Sequence, residues 1–281
     1  MNMFDKGIKL TGAEHMHYFT KKLIKSFLKF YRENGADPQY QNLTNALAKE
    51  ILKNLGYNNY SNSAVSGEQF FIEKILAPTS PRLCIDIGAN IGKYSIDLLE
   101  KTKSKVISFE PLPRTFQELS RNCEKYGSRS VLENFGVGSE NKIQQLHFDP
   151  EALTHASLSE EVNNVSYVNN KLTENVSVIT LDHYCHQNQV TEIDFVKIDT
   201  EGYEAEVFSG ASKTFSEIRP KFIQIEFNWH QLFRGTTLFY FSSLLADYDL
   251  YQLMPGRWVQ RDPKDPLANI YQYSNFVFVA R

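Results

Sequence analysis

Short apolar runs alternate with amphipathic helical patterns along the chain from residue 81 onward. The apolar runs predict β-strands, and the segments with apolar residues three or four positions apart predict helices between them. Such alternation is typical of a parallel sheet with helices on both faces, so the predicted fold class is α/β. The strands are predicted at residues 82–87, 105–110, 130–135, 193–198, 221–227, 248–254 and 273–279, and the helices at 93–101, 113–125, 203–208 and 238–246.

The first 75 residues have a helical pattern instead, with helices predicted at 17–31, 43–55 and 68–76. In the first helix, apolar and basic side chains occupy opposite faces. The apolar set is Phe19, Leu23, Ile24, Phe27, Leu28 and Tyr31, and the basic set is Lys21, Lys22, Lys25, Lys29 and Arg32. A wide apolar stripe favours packing on the main domain, and the alternative is a helix on an anionic membrane. We predict a helical N-terminal extension, residues 1–75, and a main domain, residues 76–281.

Bulk properties exclude several classes of protein. The 281 residues carry a formal net charge of −3, so the sequence has no electrostatic signature of nucleic-acid binding. No apolar run approaches the ~20 residues of a transmembrane segment, and residues 1–6 lack the pattern of a secretory signal. The three cysteines are scattered and predict no disulfide framework. These features predict a cytoplasmic protein, and they are compatible with a homo-oligomer.

The most informative motif is a glycine-rich turn after the first strand, Ile85-Asp86-Ile87-Gly88-Ala89-Asn90-Ile91-Gly92. Gly88 and Gly92 let the backbone approach a ligand, and the next helix begins behind them. Glu110 ends the second strand, at about the 20-residue offset where an acidic side chain binds a ribose diol. Asp86 would repel a pyrophosphate but suits a cationic ligand such as S-adenosylmethionine (AdoMet). The alternative is that Asp86 only caps the helix.

Polar residues also follow two later strands. Asp199 and Glu201 follow the strand at 193–198, and Glu226, Asn228 and His230 follow the one at 221–227. Three interpretations are open. Asp199, Glu226 and Asn228 are candidate ligands of a divalent cation such as Mg²⁺. Alternatively, Asp199, Glu226 or His230 is a catalytic general base, which we slightly favour. In the third, these residues hold a cofactor or cap helices.

Taken in order, these motifs resemble the FkbM-type family of AdoMet-dependent methyltransferases over roughly residues 65–281. The resemblance is carried by residues 86–95, 109–111, 181–182, 194–204, 210–211, 219–220 and 226, and Lys-Ile-Asp-Thr-Glu-Gly at 197–202 is its most specific part. It implies a class I methyltransferase (Rossmann-like) domain at residues 76–281. The expected core is a seven-stranded sheet whose last strand, near residues 275–280, is antiparallel.

The resemblance also implies roles for individual residues. Cofactor-binding residues would be Asp86, Gly88, Asn90, Gly92, Glu110, Gly136 and Asp199, with Phe135 and Val137 beside the adenine. Candidate substrate-binding residues are His155, Glu201, Tyr203 and Trp229. The polar segment 150–170 is either a substrate-binding loop or a surface insertion, with equal weight.

The leading functional hypothesis is methyl transfer from AdoMet to a hydroxyl of a sugar, in a glycan of the surface polysaccharide type. Alternative acceptors are a lipid or a small natural product. A non-catalytic AdoMet-binding scaffold is a further alternative. A nucleotide-binding dehydrogenase is disfavoured because Asp86 interrupts the glycine-only turn that such enzymes use.

Overall fold

A computed structural model describes residues 12–281, with side chains described from residue 20. Residues 1–11, which include the segment without a secretory-signal pattern, and the Phe19 side chain lie outside this description. The chain divides into two compact units between Leu55 and Gly56. The first contains helices α1 (Gly12–Asn34) and α2 (Gln41–Asn54). No helix in the described part of the chain combines the length and apolar character needed to span a bilayer.

The second unit contains eleven strands. They are β1 (Leu83–Ile87), β2 (Lys105–Phe109), β3 (Ser130–Glu133), β4 (Gly136–Val137), β5 (Lys142–Phe148), β6 (Leu172–Ile179), β7 (Phe195–Ile198), β8 (Phe222–Phe227), β9 (Tyr248–Met254), β10 (Arg257–Gln260) and β11 (Ser274–Ala280). Eight of them form one sheet in the order β10-β9-β11-β8-β7-β1-β2-β3, and the other three form a small sheet in the order β4-β6-β5.

Helices surround the strands in chain order. They are α3 (Ser63–Ser66), α4 (Glu68–Phe70), α5 (Lys93–Lys101), α6 (Pro113–Cys123), α7 (Leu181–Gln187), α8 (Glu204–Ser209), α9 (Trp229–Arg234) and α10 (Leu238–Leu244). π-Helical turns span Phe71–Leu76 and Thr214–Ile218. The segment 150–170 contains only short 3₁₀ turns, at Leu153–His155 and Glu160–Asn164.

The sheet topology confirms the predicted α/β class and the antiparallel last strand. Strands β3, β2, β1, β7 and β8 are parallel, and β11 is antiparallel to both β8 and β9. The main sheet has eight strands rather than the seven expected, because β10 pairs antiparallel with β9. β10 is a short edge strand with exposed ends, so it has little of the apolar pattern that reveals inner strands.

Residues 56–76 pack within the second unit. Phe71, Ile72 and Leu76 are buried in one apolar cluster with Phe195 and Phe222 of the sheet. The helical pattern of the sequence placed these residues in the N-terminal extension, whereas their contacts lie with the sheet. The division of function between residues 1–75 and 76–281 stays a prediction.

A tight approach of two loops brings the ends of β1 and β7 together. Gly88 has a φ of +82°, and a Cβ atom there would lie 1.8 Å from the Asp199 carbonyl oxygen. The N–H groups of Gly88 and Ala89 donate to the Phe109 carbonyl at 3.0 and 2.9 Å. Gly88 therefore fixes the carboxyl ends of β1, β2 and β7 side by side, which is where ligands bind in open α/β sheets.

We expect Gly88→Ala to lower the free energy of unfolding by more than about 3 kcal/mol, since the methyl group clashes with fixed backbone and the φ is unfavourable. Gly256→Ala is the matched control. Gly256 has a φ of +66°, and a Cβ atom added there would meet no other atom within 4 Å, so only the cost of the backbone conformation, about 1 kcal/mol, applies. Urea unfolding measures both, and equal losses would contradict the close approach.

Candidate active site

A cleft opens over the carboxyl ends of β1, β2 and β7. It encloses about 650 Å³, counted to its open mouth, which is within the size range of small-molecule sites. Its polar lining residues are Asn90, Glu110, Asp199, Thr200 and Glu201, and its other lining residues include Gly88, Phe135, Gly136, Val137, Leu146, Leu153, Thr154, Ala156 and Leu158. Part of the polar segment 150–170 therefore forms a wall of this cleft.

Glu110 is the most constrained acid of the cleft. Its two carboxylate oxygens accept the N–H groups of Leu112 and Asn90, each at 2.9 Å. The side chain is buried, and burial raises the pKa of Glu110 to about 7, although the two N–H groups oppose the shift. The carboxylate is thus held in one orientation at the end of β2, with its remaining lone pairs available to a ligand in the cleft.

Asp86 lies beneath the cleft and does not line it. One carboxylate oxygen accepts the Ser95 hydroxyl at 2.6 Å, and the other lies 3.8 Å from the Lys197 ammonium. Burial raises the pKa of Asp86, and Lys197 opposes that shift. Gly92 also faces away from the cleft, since a Cβ there would lie 2.6 Å from Leu119 of α6. The geometry gives both residues a supporting position behind the glycine-rich turn.

Lys197 is an important residue of the site that was not among the candidates predicted from the sequence. Its ammonium lies 2.8 Å from Asp199 and 5.0 Å from the centre of the Tyr94 ring. Burial lowers the pKa of Lys197, but Asp199, Asp86 and Glu68 raise it more, so the ammonium stays charged. A lysine inside the apolar strand Phe195–Ile198 is the signal that identifies such a residue, because a buried ammonium needs acidic partners.

An acidic rim formed by Asp199, Glu201 and Glu226 borders the cleft. Each offers an oxygen within 4.8 Å of the others. Burial, together with Asp199 and Glu201, raises the pKa of Glu226 well above its ordinary value. Asn228, predicted to join a metal site, has its amide engaged elsewhere. Its oxygen accepts the His230 N–H at 2.7 Å as the cap of α9, and its nitrogen donates to Glu226.

His230 contacts this rim from behind and does not line the cleft. Its Nδ1 lies 3.0 Å from a carboxylate oxygen of Glu201, and the ring is almost fully buried. Burial lowers the pKa of His230, but the Glu201 contact raises it more, with Glu204 and Asp199 adding to the rise. An imidazolium paired with Glu201 is a poor acceptor for a substrate proton, so this geometry gives His230 a supporting position.

Glu204 holds the turn that presents the rim. One of its oxygens accepts the N–H groups of Thr200 and Gly202 at 2.9 and 3.2 Å. The other accepts the Gln231 side-chain amide at 2.7 Å. These bonds tie the turn after β7 to α9, which carries His230, and so set the spacing between Glu201 and His230.

The remaining predicted substrate residues lie outside the cleft lining. Tyr203 is buried, and its hydroxyl donates to Gln144 at 2.8 Å. The rings of His155 and Trp229 flank the half-exposed Tyr167, with ring centres 5.5 and 5.6 Å from it. Tyr167 is an aromatic residue near the rim that was not predicted from the sequence, because nothing local to it indicates contact with α9.

We expect Lys197→Met to lower the free energy of unfolding by about 3–5 kcal/mol, because it leaves Asp86 and Asp199 without their shared cation. The double variant Lys197→Met/Asp86→Asn should recover part of the loss, since it also removes the fully buried charge. Lys103→Met, at an exposed position, is the control. Chemical denaturation provides the values, and no recovery in the double variant would show that Asp86 and Lys197 do not interact.

Comparison with known proteins places this geometry in a family. The family described as Methyltransferase FkbM domain matches residues 86–251. The hexuronic acid methyltransferase AglP of Haloferax volcanii is 25% identical over 140 residues, 50% of this chain and 54% of that protein. The 2-O-methyltransferase NoeI of Sinorhizobium fredii is 27% identical over 191 residues, 63% of this chain and 76% of that protein.

A solved structure, the O-methyltransferase from Bacillus cereus in complex with SAH, aligns with a TM-score of 0.41 and 12% identity, covering 90% of this chain and 96% of that one. The chain spans about half the length of AglP. The family match itself covers more than half of the chain and includes the glycine-rich turn, Glu110 and the acidic rim. The chain therefore belongs to the FkbM-type family of AdoMet-dependent methyltransferases.

Proposed function

We propose that this protein transfers a methyl group from AdoMet to a hydroxyl group of a sugar. The observation that carries the proposal is the position of the acidic rim, Asp199, Glu201 and Glu226, at one side of a cleft whose other side holds Glu110. A cofactor site and a set of oxygen acceptors for hydroxyl groups are thus adjacent, as an O-methyl transfer requires.

The lining of the cleft fits AdoMet. Glu110 is placed to accept hydrogen bonds from the ribose hydroxyls, and Asn90 and Gly88 would border the polar part of the molecule. Phe135 and Val137 offer apolar surface for the adenine. When bound, AdoMet supplies a methyl group on a positively charged sulfur, which the nearby carboxylates favour electrostatically. Asp86 would support this site from below rather than touch the ligand.

Asp199 is our candidate for the group that takes the proton from the acceptor hydroxyl. It lines the cleft, and its bond to Lys197 fixes one of its oxygens. A hydroxyl is a weak nucleophile until its proton is removed, so a positioned carboxylate supports the reaction. Glu226 is less suited to this role because its raised pKa favours the protonated acid. Glu201 and His230 would orient the acceptor and the turn.

A sugar acceptor is supported by two independent points. Carboxylate oxygens accept hydrogen bonds from several hydroxyls at once, and the exposed ring of Tyr167 beside Trp229 offers a surface on which a sugar can stack. The relatives AglP and NoeI are named for a hexuronic acid and for a 2-O position. Three acids at the rim disfavour an anionic acceptor, so neutral glycosides should be screened alongside uronic acids.

We expect Asp199→Asn to lower kcat by about 10²–10⁴-fold, because the amide cannot take a proton. AdoMet affinity should change little, since the amide keeps the size and polarity of the side chain. Glu118→Gln, on the exposed face of α6, is the matched control. Methyl transfer and calorimetry on both variants give the answer, and near-normal turnover of Asp199→Asn would remove this residue as the base.

We expect turnover to persist after rigorous chelation of divalent cations. The Lys197 ammonium already lies 2.8 Å from Asp199 and would repel a dication, and the Asn228 oxygen is engaged as a helix cap. The measurement is the methyl transfer rate before and after chelation. Loss of turnover that Mg²⁺ restores, with AdoMet binding unchanged, would instead support a cation held by the acidic rim.

We expect AdoMet affinity to fall as the pH drops below about 7, because Glu110, whose pKa lies at about 7, then becomes protonated and loses acceptor capacity. Glu110→Gln should bind more weakly and should lack this part of the pH dependence. Calorimetric titration from about pH 6 to about pH 8.5, a range that spans the raised pKa, separates the two proteins. Identical pH profiles would place the ribose away from Glu110.

A further inference from the structure

Helix α1 has a continuous apolar face that is exposed to solvent. Its side chains are Leu23, Ile24, Phe27, Leu28 and Phe30, and between 42% and 55% of each is accessible. At 3.6 residues per turn these positions fall on one side of the helix. Large apolar side chains grouped in this way on an exposed surface mark a contact with another molecule or with lipid.

The opposite face of α1 is strongly basic. Lys21, Lys22, Lys25, Lys29 and Arg32 lie within a narrow arc of the helix, and all five positions are outside the buried set. Between residues 20 and 34 the single acidic residue is Glu33. This segment therefore has four more positive than negative charges, while the whole chain has a net charge of −3.

We propose that α1 lies along the surface of a bilayer that contains anionic lipid. The apolar face would enter the boundary between headgroups and acyl chains. The lysine side chains would extend their alkyl stems along that boundary and place their ammonium groups at the lipid phosphates. This inference concerns where the protein resides, and it does not depend on the proposed methyl transfer.

Charge decides between lipid and a protein partner. Several ammonium groups on one helix match a surface of uniform negative charge, and each adds to the binding at such a surface. Phe27 and Phe30 provide the bulky apolar groups that interfacial helices bury. A second copy of this chain would present the same basic residues and would repel them at close range.

The test is co-sedimentation of the full chain with vesicles of phosphatidylcholine and with vesicles of phosphatidylcholine mixed with phosphatidylglycerol. We expect binding to the mixed vesicles that weakens as salt is raised. Lys21→Gln/Lys25→Gln should weaken it by about 30-fold, roughly fivefold for each charge. Lys103→Gln/Lys264→Gln removes the same charge from exposed positions elsewhere and should leave binding nearly unchanged.

Leu23→Gln/Phe27→Gln tests the apolar face and should reduce binding on the order of a hundredfold. Its unfolding midpoint and oligomeric state should match the wild type. Three results would overturn the proposal. They are no preference for anionic vesicles, equal losses in the two lysine double variants, or a Leu23→Gln/Phe27→Gln protein that unfolds earlier or loses an oligomer. The last would show that protein covers this face.

Discussion

One buried ammonium allows acidic side chains to gather at the centre of the sheet. Lys197 reaches Asp199 at 2.8 Å and Asp86 at 3.8 Å, and all three lie on the adjacent strands β1 and β7 or at their ends. Without this cation, two carboxylates near each other in a buried region would repel and take up protons. The network therefore holds Asp199 in position and keeps the turn after β1 supported from beneath.

The backbone imposes a second constraint at the same place. Gly88 lies against the Asp199 carbonyl, so the cofactor side of the cleft and the acidic rim cannot move apart independently. Glu204 then fixes the rim by binding the turn after β7 to α9. Charge, close approach and capping thus combine to bring a site for AdoMet next to carboxylates that can receive an acceptor hydroxyl, which is the geometry that methyl transfer to oxygen needs.

Much of the fold is predictable from local patterns, and most of the side-chain geometry is not. The strands around Asp86 and Asp199 are apolar runs bounded by glycines and acids, and their positions follow from sequence alone. Inner parallel strands are apolar on both faces, so the sequence does not tell on which side Asp86 points. The pairing of His230 with Glu201, the capping role of Asn228 and the contact of Tyr167 with Trp229 all depend on how distant segments pack.

The central claim is that the cleft beside Glu110 binds AdoMet. Calorimetric titration of the full chain with AdoMet, and separately with NAD⁺, tests it most directly. We predict saturable binding of AdoMet with one site per chain and no heat of binding for NAD⁺. Binding of NAD⁺ in the absence of AdoMet binding would contradict the claim, because it would mean that the glycine-rich turn serves a dinucleotide instead.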